Sequence, residues 1–156
     1  MKEFQKVDDL VSRSGLITSK KELVRLARDG YKSIVSLEVI DPTLQSFAKK
    51  VGIKVYNIPI DDYEAPTMTE TLRMIAATER ARKNGGKLLI HCLHGKQRSG
   101  TMSTLYLASR GMHPLQAYHL HDNGISERQK EFIMEKGFDL AEMMKKRNAK
   151  LKTRKI

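Results

Sequence analysis

Residues 87–101 read KLLIHCLHGKQRSGT, a segment in which polar residues and glycines follow an apolar run. The apolar residues 88–90 predict a buried strand, and a second apolar stretch at residues 102–108 predicts a buried helix. The residues between them then form a short loop, with Cys92 at the exit of the strand and Arg98 at the entrance of the helix. Strands and helices that alternate in this way predict a mostly parallel sheet covered by helices.

The loop between this strand and this helix has the residue types of an anion-binding site. Its backbone N–H groups can turn inward as a nest, and the helix N-terminus adds unpaired N–H groups and the positive end of its dipole. Arg98 supplies a planar fork that can grip two phosphate oxygens at once. The same positive field favours the thiolate form of Cys92. A thiolate and a guanidinium directed at one phosphate ester are suited to nucleophilic attack on phosphorus.

Two other interpretations use the same residues. Cysteine is often a small core residue, and glycine-containing turns between a strand and a helix are common. A nucleotide-binding P-loop requires lysine after its second glycine, but Thr101 follows Gly100. The histidine before Cys92, Gly95 three positions after it and the Ser-Gly pair after Arg98 favour the phosphate-ester chemistry.

His91-Cys92, five intervening residues and then Arg98-Ser99 resemble the signature of the cysteine-based protein tyrosine and dual-specificity phosphatases. The resemblance extends over residues 12–138 and is greatest to the small microbial members of that family. It implies an α/β fold with a central, mostly parallel sheet of about four to five strands flanked by helices. It also implies hydrolysis of phosphate monoesters through a cysteinyl-phosphate, without a cofactor. No spacing typical of metal ligands occurs in the sequence.

Residues 58–66, IPIDDYEAP, resemble the acid loop of that family, in which a proline after a strand precedes the general acid. Such an acid on a movable loop would protonate the leaving oxygen. The small microbial relatives tend to have proline, an apolar residue, any residue and then aspartate. The resemblance therefore favours Asp62 as the general acid, with Asp61 as the alternative. Either carboxylate could instead be a solvated loop residue or a helix cap.

The resemblance also implies supporting roles. Ser99 would hydrogen-bond to the sulfur of Cys92 and help it to leave, although an N-cap is an alternative role. Gln129 resembles the glutamine that positions water for hydrolysis of the phosphocysteine, but Ser126 and Gln129 also have the spacing of a capping box. His91 is expected to order the loop through hydrogen bonds. The phosphate of the substrate is expected to bind to Leu93, His94, Gly95, Lys96, Gln97 and Arg98.

The remaining elements follow from apolar periodicity and capping residues. Strands are predicted at residues 34–37, 55–58 and 88–90. Helices are predicted after Ser19, after Asp41 and after Thr67, and then at residues 99–110, 114–121, 126–136 and from 139 onward. We expect one catalytic domain at residues 1–140, followed by a basic C-terminal helix or tail at residues 141–156.

The composition restricts the setting in which the protein works. The formal net charge is +11, and many of the cations lie near the C-terminus: Lys145, Lys146, Arg147, Lys150, Lys152, Arg154 and Lys155. This tail can make weak contact with nucleic acid or another anionic surface, or it can simply be solvated. The single cysteine excludes an internal disulfide and is typical of a reducing compartment. Neither a signal peptide nor a membrane-spanning run is found, so we expect a cytoplasmic protein.

The substrate is less well determined than the chemistry. Phosphotyrosine in proteins, with dual specificity for phosphoserine and phosphothreonine, is the first expectation. Lys96 is similar to the basic loop residue of inositol-phosphate and lipid phosphatases, and His94 is similar to that of RNA 5′-triphosphatases. Both remain alternative substrate classes. A protein that binds phosphate or nucleic acid without turnover is the alternative of another kind.

Overall fold

The computed structural model describes residues 1–154, the last three of them by their backbone alone. A single sheet of five strands runs through its centre in the order β1-β2-β5-β3-β4. The strands are β1 (Gln5–Lys6), β2 (Val11–Ser14), β3 (Tyr31–Ser36), β4 (Lys54–Asn57) and β5 (Lys87–His91). Four of them are parallel, and only the edge strand β1 is antiparallel to its neighbour. The predicted α/β fold with a mostly parallel sheet is confirmed.

Residues 1–154 form six helices, which cover the two faces of the sheet. They are α1 (Lys20–Arg28), α2 (Pro42–Lys50), α3 (Met68–Asn84), α4 (Gln97–Ser109), α5 (Pro114–His121) and α6 (Glu127–Arg154). Alternate residues of β5 face opposite layers: Leu89 packs with α1 and α2, whereas Leu88 and Ile90 pack with the other helices. The central strand is therefore apolar on both faces, as is usual in a parallel sheet covered by helices.

Local capping residues define where the first three helices begin. Ser19 accepts a hydrogen bond from the backbone of Glu22 at the start of α1, and Asp41 caps α2 in the same way. Thr67 and Glu70 form a reciprocal capping box at the start of α3. Each of these side chains satisfies backbone N–H groups that would otherwise lack a partner in the first turn. The predicted starts of these three helices are confirmed.

The predictions for the later helices needed two corrections. Helix α4 begins at Gln97 rather than near Ser99, and Lys96 is its N-cap residue. Residues 126–136 and 139 onward form one continuous helix, α6, rather than two. Gly137 does not interrupt this helix. It gives room for Pro114, because a Cβ at position 137 would lie 2.7 Å from the Pro114 ring.

Helix α6 continues past residue 140, where we expected the catalytic domain to end, and that division stays a prediction. Leu140 and Met144 are buried against the core, so the helix packs on the domain beyond that position. Of the predicted basic tail, Lys155 lies outside the described residues, as do the side chains of Lys152 and Arg154. None of the helices described in residues 1–154 is long and apolar enough to cross a membrane.

Candidate active site

The site lies where the parallel strands end, because the loops after β3, β4 and β5 meet at one edge of the sheet. Strand β5 leads directly to Cys92, β3 is followed by Glu38, and the chain after β4 turns back toward the same edge at Asp62. These residues are far apart in the sequence. Arg98 in the first turn of α4 forms ion pairs with Glu38 and Asp62 and lines the same pocket as Cys92.

Cys92 is buried beneath the loop, at 2% exposure. Its sulfur lies 3.4 Å from the Oγ atom of Ser99, which is within hydrogen-bond distance. Ser99 is fully buried inside the first turn of α4 and does not cap the helix. Its hydroxyl is therefore directed at the sulfur rather than at the backbone of its own helix.

The loop after Cys92 packs closely against the end of β2. Gly95 has a φ of +73°, and a Cβ there would lie 2.5 Å from the backbone nitrogen of Gly15. No side chain fits in that space, and the left-handed conformation favours glycine independently. The backbone N–H of Leu16 also donates to the Leu93 carbonyl at 3.1 Å.

The guanidinium of Arg98 has hydrogen-bond partners at Nη1 but not at Nε. Its Nη1 atom donates to Glu38 Oε2 and to the Ile60 carbonyl, each at 2.8 Å. Its Nε atom is buried without a hydrogen-bond partner among the described residues. Asp62 Oδ1 lies 3.7 Å from Nε, which is close enough for an ion pair but too far for a hydrogen bond. A buried guanidinium with an unused donor is suited to receive an anionic oxygen.

The two candidate acids are placed differently. The side chain of Asp62 lines the pocket that also contains Cys92 and Arg98, and its Oδ1 accepts a hydrogen bond from the amide of Gln97. Asp61 is exposed and does not line that pocket. Its carbonyl accepts from the backbone of Glu64 and closes the turn.

Gln129 forms the capping box that its sequence spacing allowed, and its side chain also reaches two neighbouring loops. Its backbone N–H and Oε1 form the reciprocal pair with Ser126, which is a capping box at the start of α6. Its Nε2 atom donates to the Glu64 carbonyl at 3.1 Å and to Oε1 of Gln97. The same side chain thus joins α6, the acid loop and the loop of residues 93–98, which we call the phosphate loop.

His91 is fully buried at the end of β5, and its Nε2 atom lies 2.7 Å from Ser36 Oγ. Burial lowers its pKa to about 4, an effect that the Cys92 backbone and the Glu38 carboxylate oppose. The ring is therefore neutral near pH 7, and its hydrogen bond joins the ends of β5 and β3, while its role in ordering the loop stays a prediction. Its Nδ1 atom has no hydrogen-bond partner among the described residues.

The pocket itself is small, with a volume of about 130 Å³. Tyr63, Asn123 and Gly124 form its remaining wall, while His94 and Lys96 are exposed on its rim. Leu93 does not line this pocket and faces a neighbouring cavity. Within residues 1–154, no group of three or more histidine, cysteine, aspartate or glutamate side chains could hold a metal ion.

Several residues of the site have no counterpart in the sequence interpretation. Glu38 follows β3 and Arg13 lies on β2, and nothing in their own neighbourhoods marks them as part of the site. Gln97, which was expected to bind the phosphate, lines the pocket, and its side chain also contacts Asp62 and Gln129. Only the meeting of the strand ends brings these residues together.

The geometry agrees with comparisons to known proteins. The model of the DSP-PTPase phosphatase domain of Swiss Army Knife proteins, PTP-SAK, matches residues 13–149. The chain belongs to this family. No curated protein sequence matches the chain.

Solved structures of phosphatases have the same fold. The structure of Tk-PTP in its active form has a TM-score of 0.75 and 27% identity, covering 88% of this chain and 97% of that one. PTPMT1 has a TM-score of 0.77 and 21% identity, covering 94% and 99%. TpbA from P. aeruginosa has a TM-score of 0.74 and 19% identity, covering 91% and 90%. The family match identifies the chain as a cysteine-based phosphatase, and these structures share its fold.

Proposed function

We propose that this PTP-SAK domain hydrolyses phosphate monoesters through a cysteinyl-phosphate and that its substrates are phosphorylated proteins, with phosphotyrosine foremost. The observation that carries the proposal is the unused, buried Nε donor of Arg98, which lies in one small pocket with Cys92 and Asp62. Such a donor is costly to bury unless a ligand oxygen accepts from it.

The mechanism follows from this arrangement. The Cys92 thiolate attacks phosphorus, and the bond between phosphorus and the leaving oxygen breaks while Asp62 gives that oxygen its proton. Arg98 and the loop N–H groups stabilise the charge on the three remaining oxygens. Asp62 then takes a proton from water, which attacks the phosphocysteine, and Ser99 stabilises the departing thiolate. Gln129 contacts the acid loop through the Glu64 carbonyl and can position the attacking water there.

The size of the pocket supports a substrate that enters only with its phosphorylated end. Pockets that enclose an entire small molecule usually measure about 300–1,000 Å³. A volume of about 130 Å³ accommodates a phosphoryl group and little more. The rest of the substrate then lies on the surface, for example along a groove of about 480 Å³ beside α2 that shares Glu38 with the site. A phosphorylated side chain of a protein fits this description.

One observation favours a second substrate class, the inositol phosphates and phosphoinositides. His94 and Lys96 are exposed on the rim of the pocket, where they can meet additional phosphates. A structure of PTPMT1 contains PI(5)P, but at 18% identity it shares only the fold with this chain. For RNA 5′-triphosphates as substrates, the position of His94 is the one supporting observation. The similar proteins offer no support for contact between the basic tail and nucleic acid.

The test is a comparison of kcat/KM for phosphotyrosyl peptides, phosphoseryl peptides, inositol phosphates and an RNA 5′-triphosphate, with Lys96→Met beside the wild type. We expect the phosphotyrosyl peptide to have the highest kcat/KM and to be affected little by Lys96→Met. A kcat/KM that is highest for inositol phosphates, and that Lys96→Met reduces by about 10-fold or more, would favour the second substrate class over phosphorylated proteins. Absence of turnover with every ester would contradict the proposed function.

A further inference from the structure

Arg13 is a buried cation that the mechanism above does not use. It lies on β2, directly behind the phosphate loop, and is 3% exposed. Its guanidinium donates in three directions: from Nε to His121 Nδ1 at 3.1 Å, from Nη1 to the Gly95 carbonyl at 2.8 Å and from Nη2 to Gln5 Oε1 at 2.8 Å. Because its donors point to these protein acceptors, Arg13 is not placed to bind the substrate itself.

The bond to Gly95 determines the orientation of a peptide group within the loop. No peptide bond in the described chain is cis. In a trans peptide, the carbonyl and the following N–H point in opposite directions. While Arg13 holds the Gly95 carbonyl on the side of β2, the N–H of Lys96 is directed to the other side, toward the pocket. A nest binds an anion only when its N–H groups face inward in this way.

The end of β2 supports the loop through backbone contacts as well. The Cys92 N–H donates to the Ser14 carbonyl, and Gly15 forms a bridge with His94. These contacts fix the position of the loop, but none of them supplies a donor for the Gly95 carbonyl. Arg13 provides the donor at that point and adds a positive charge that the backbone cannot supply.

The positive charge of Arg13 and negative charge on Cys92 attract each other. Burial lowers the pKa of the Arg13 guanidinium, and negative charge on Cys92 and on Glu3 opposes this effect. An arginine remains protonated near neutral pH even so. His121 adds no competing charge, because burial and Arg13 lower its pKa to about 4. Other charged or titratable groups around Arg13 and Cys92 belong to the neighbouring strands and loops: His91 on β5, Arg98 on α4, Glu38 after β3, Asp62 and Tyr63 on the acid loop, and His94 and Lys96 after Cys92.

We propose that Arg13 is a positioning residue of the phosphate loop, which holds the Gly95 carbonyl outward and stabilises the Cys92 thiolate from behind. The proposal rests on the proposed function in one respect, that this loop binds the phosphate of the substrate. It goes beyond that function by assigning part of the anion affinity and of the thiolate content to a residue that never touches the substrate.

Three variants test the proposal. Arg13→Met removes the charge and all three donors, whereas Arg13→Lys keeps the charge but cannot reach three acceptors at once. Ser12→Ala is the matched control, because Ser12 is the neighbouring buried residue on β2 and bonds to Tyr31 at 2.7 Å, away from the loop. For each variant, three quantities are measured: the pH dependence of Cys92 alkylation by iodoacetamide, the affinity for inorganic phosphate or vanadate, and the melting temperature. Alkylation reports on one residue, since Cys92 is the only cysteine.

We expect Arg13→Met to move the midpoint of the alkylation profile upward by about one pH unit and to weaken phosphate binding by about 10-fold or more. Arg13→Lys should keep the alkylation midpoint within about 0.3 pH unit of the wild type and still weaken phosphate binding by about 10-fold, since it retains the charge without the fork. Ser12→Ala should lower only the melting temperature.

Wild-type alkylation and wild-type phosphate affinity in Arg13→Met, with only a lower melting temperature, would overturn the proposal. If Arg13→Met does not fold, the test rests on Arg13→Lys. Phosphate affinity equal to that of the wild type in Arg13→Lys would then overturn the proposal. Failure of the proposed function looks different: the wild-type protein would turn over no ester, yet its alkylation profile and phosphate affinity could still be compared with those of the variants.

Discussion

Replacing Asp62 by asparagine should reduce kcat far more than it changes substrate affinity. Two effects of the lost carboxylate can be separated by their size. A general acid contributes about 10²–10⁴-fold to the rate when the leaving group is poor. The ion pair with Arg98 spans 3.7 Å and the Asp62 side chain is 50% exposed, so it is worth at most about 1 kcal/mol. Its loss therefore changes affinity by about 5-fold at most, in the direction of tighter phosphate binding.

The assay compares kcat for two esters, phenyl phosphate as a poor leaving group and para-nitrophenyl phosphate as a better one. Asp62→Asn should reduce kcat by about 100-fold or more for phenyl phosphate and by about 10-fold or less for para-nitrophenyl phosphate. Asp61→Asn is the matched control, because it removes the neighbouring carboxylate, which lies outside the pocket, and should leave both rates within about 2-fold of the wild type. Equal reductions for the two esters in Asp62→Asn, or a larger effect of Asp61→Asn, would refute the assignment.

Three further predictions concern groups around the site. Glu38→Gln keeps an acceptor 2.8 Å from Arg98 Nη1 but removes its charge, so kcat/KM should fall by about 5-fold, and an unchanged value would mean that Glu38 does not orient the guanidinium. Arg128→Ala releases Glu64 of the acid loop from an exposed ion pair, so kcat should fall by about 5-fold at most, and the wild type in about 1 M salt should lose activity similarly. The folded-state pKa of His121 lies at about 4, below its ordinary 6.5, so the unfolded chain binds the extra proton and stability falls as the pH is lowered through this window. The measurement is the free energy of unfolding at pH 7 and at pH 5, for the wild type and for His121→Asn. Between these two pH values, the free energy of unfolding should fall by about 1–2 kcal/mol less in His121→Asn than in the wild type. Equal decreases in the two proteins would contradict a neutral His121 ring.

The central part of the fold could be predicted because local patterns determine it. The apolar run before Cys92, the capping residues of the first three helices and the apolar face of each helix all act within a few residues. Strands β1 and β2 were not predicted by position, because β1 has only two residues and β2, Val11–Ser14, is mostly polar. Pairing of β2 with β5 gives this polar segment its extended form, and that contact is invisible in a local pattern.

The same distinction applies to the site. The positions of Cys92, Arg98 and Ser99 follow from one short segment, so a sequence motif was enough to bring them together. Arg13 and Glu38 reach the loop only because the parallel strands end at the same edge of the sheet. Asp62 was favoured over Asp61 only through the family resemblance, because the residues themselves do not show which way the acid loop turns.

The most direct test of the central claim is to trap the phosphorylated enzyme. Wild-type protein and Cys92→Ser are mixed with para-nitrophenyl phosphate, the reaction is stopped with acid during turnover, and the peptide that contains residue 92 is examined by mass spectrometry. A cysteine nucleophile predicts a phosphoryl group on Cys92 in the wild type and no turnover in Cys92→Ser. Turnover that survives in Cys92→Ser, or a phosphoryl group on a different residue of the wild type, would contradict the account.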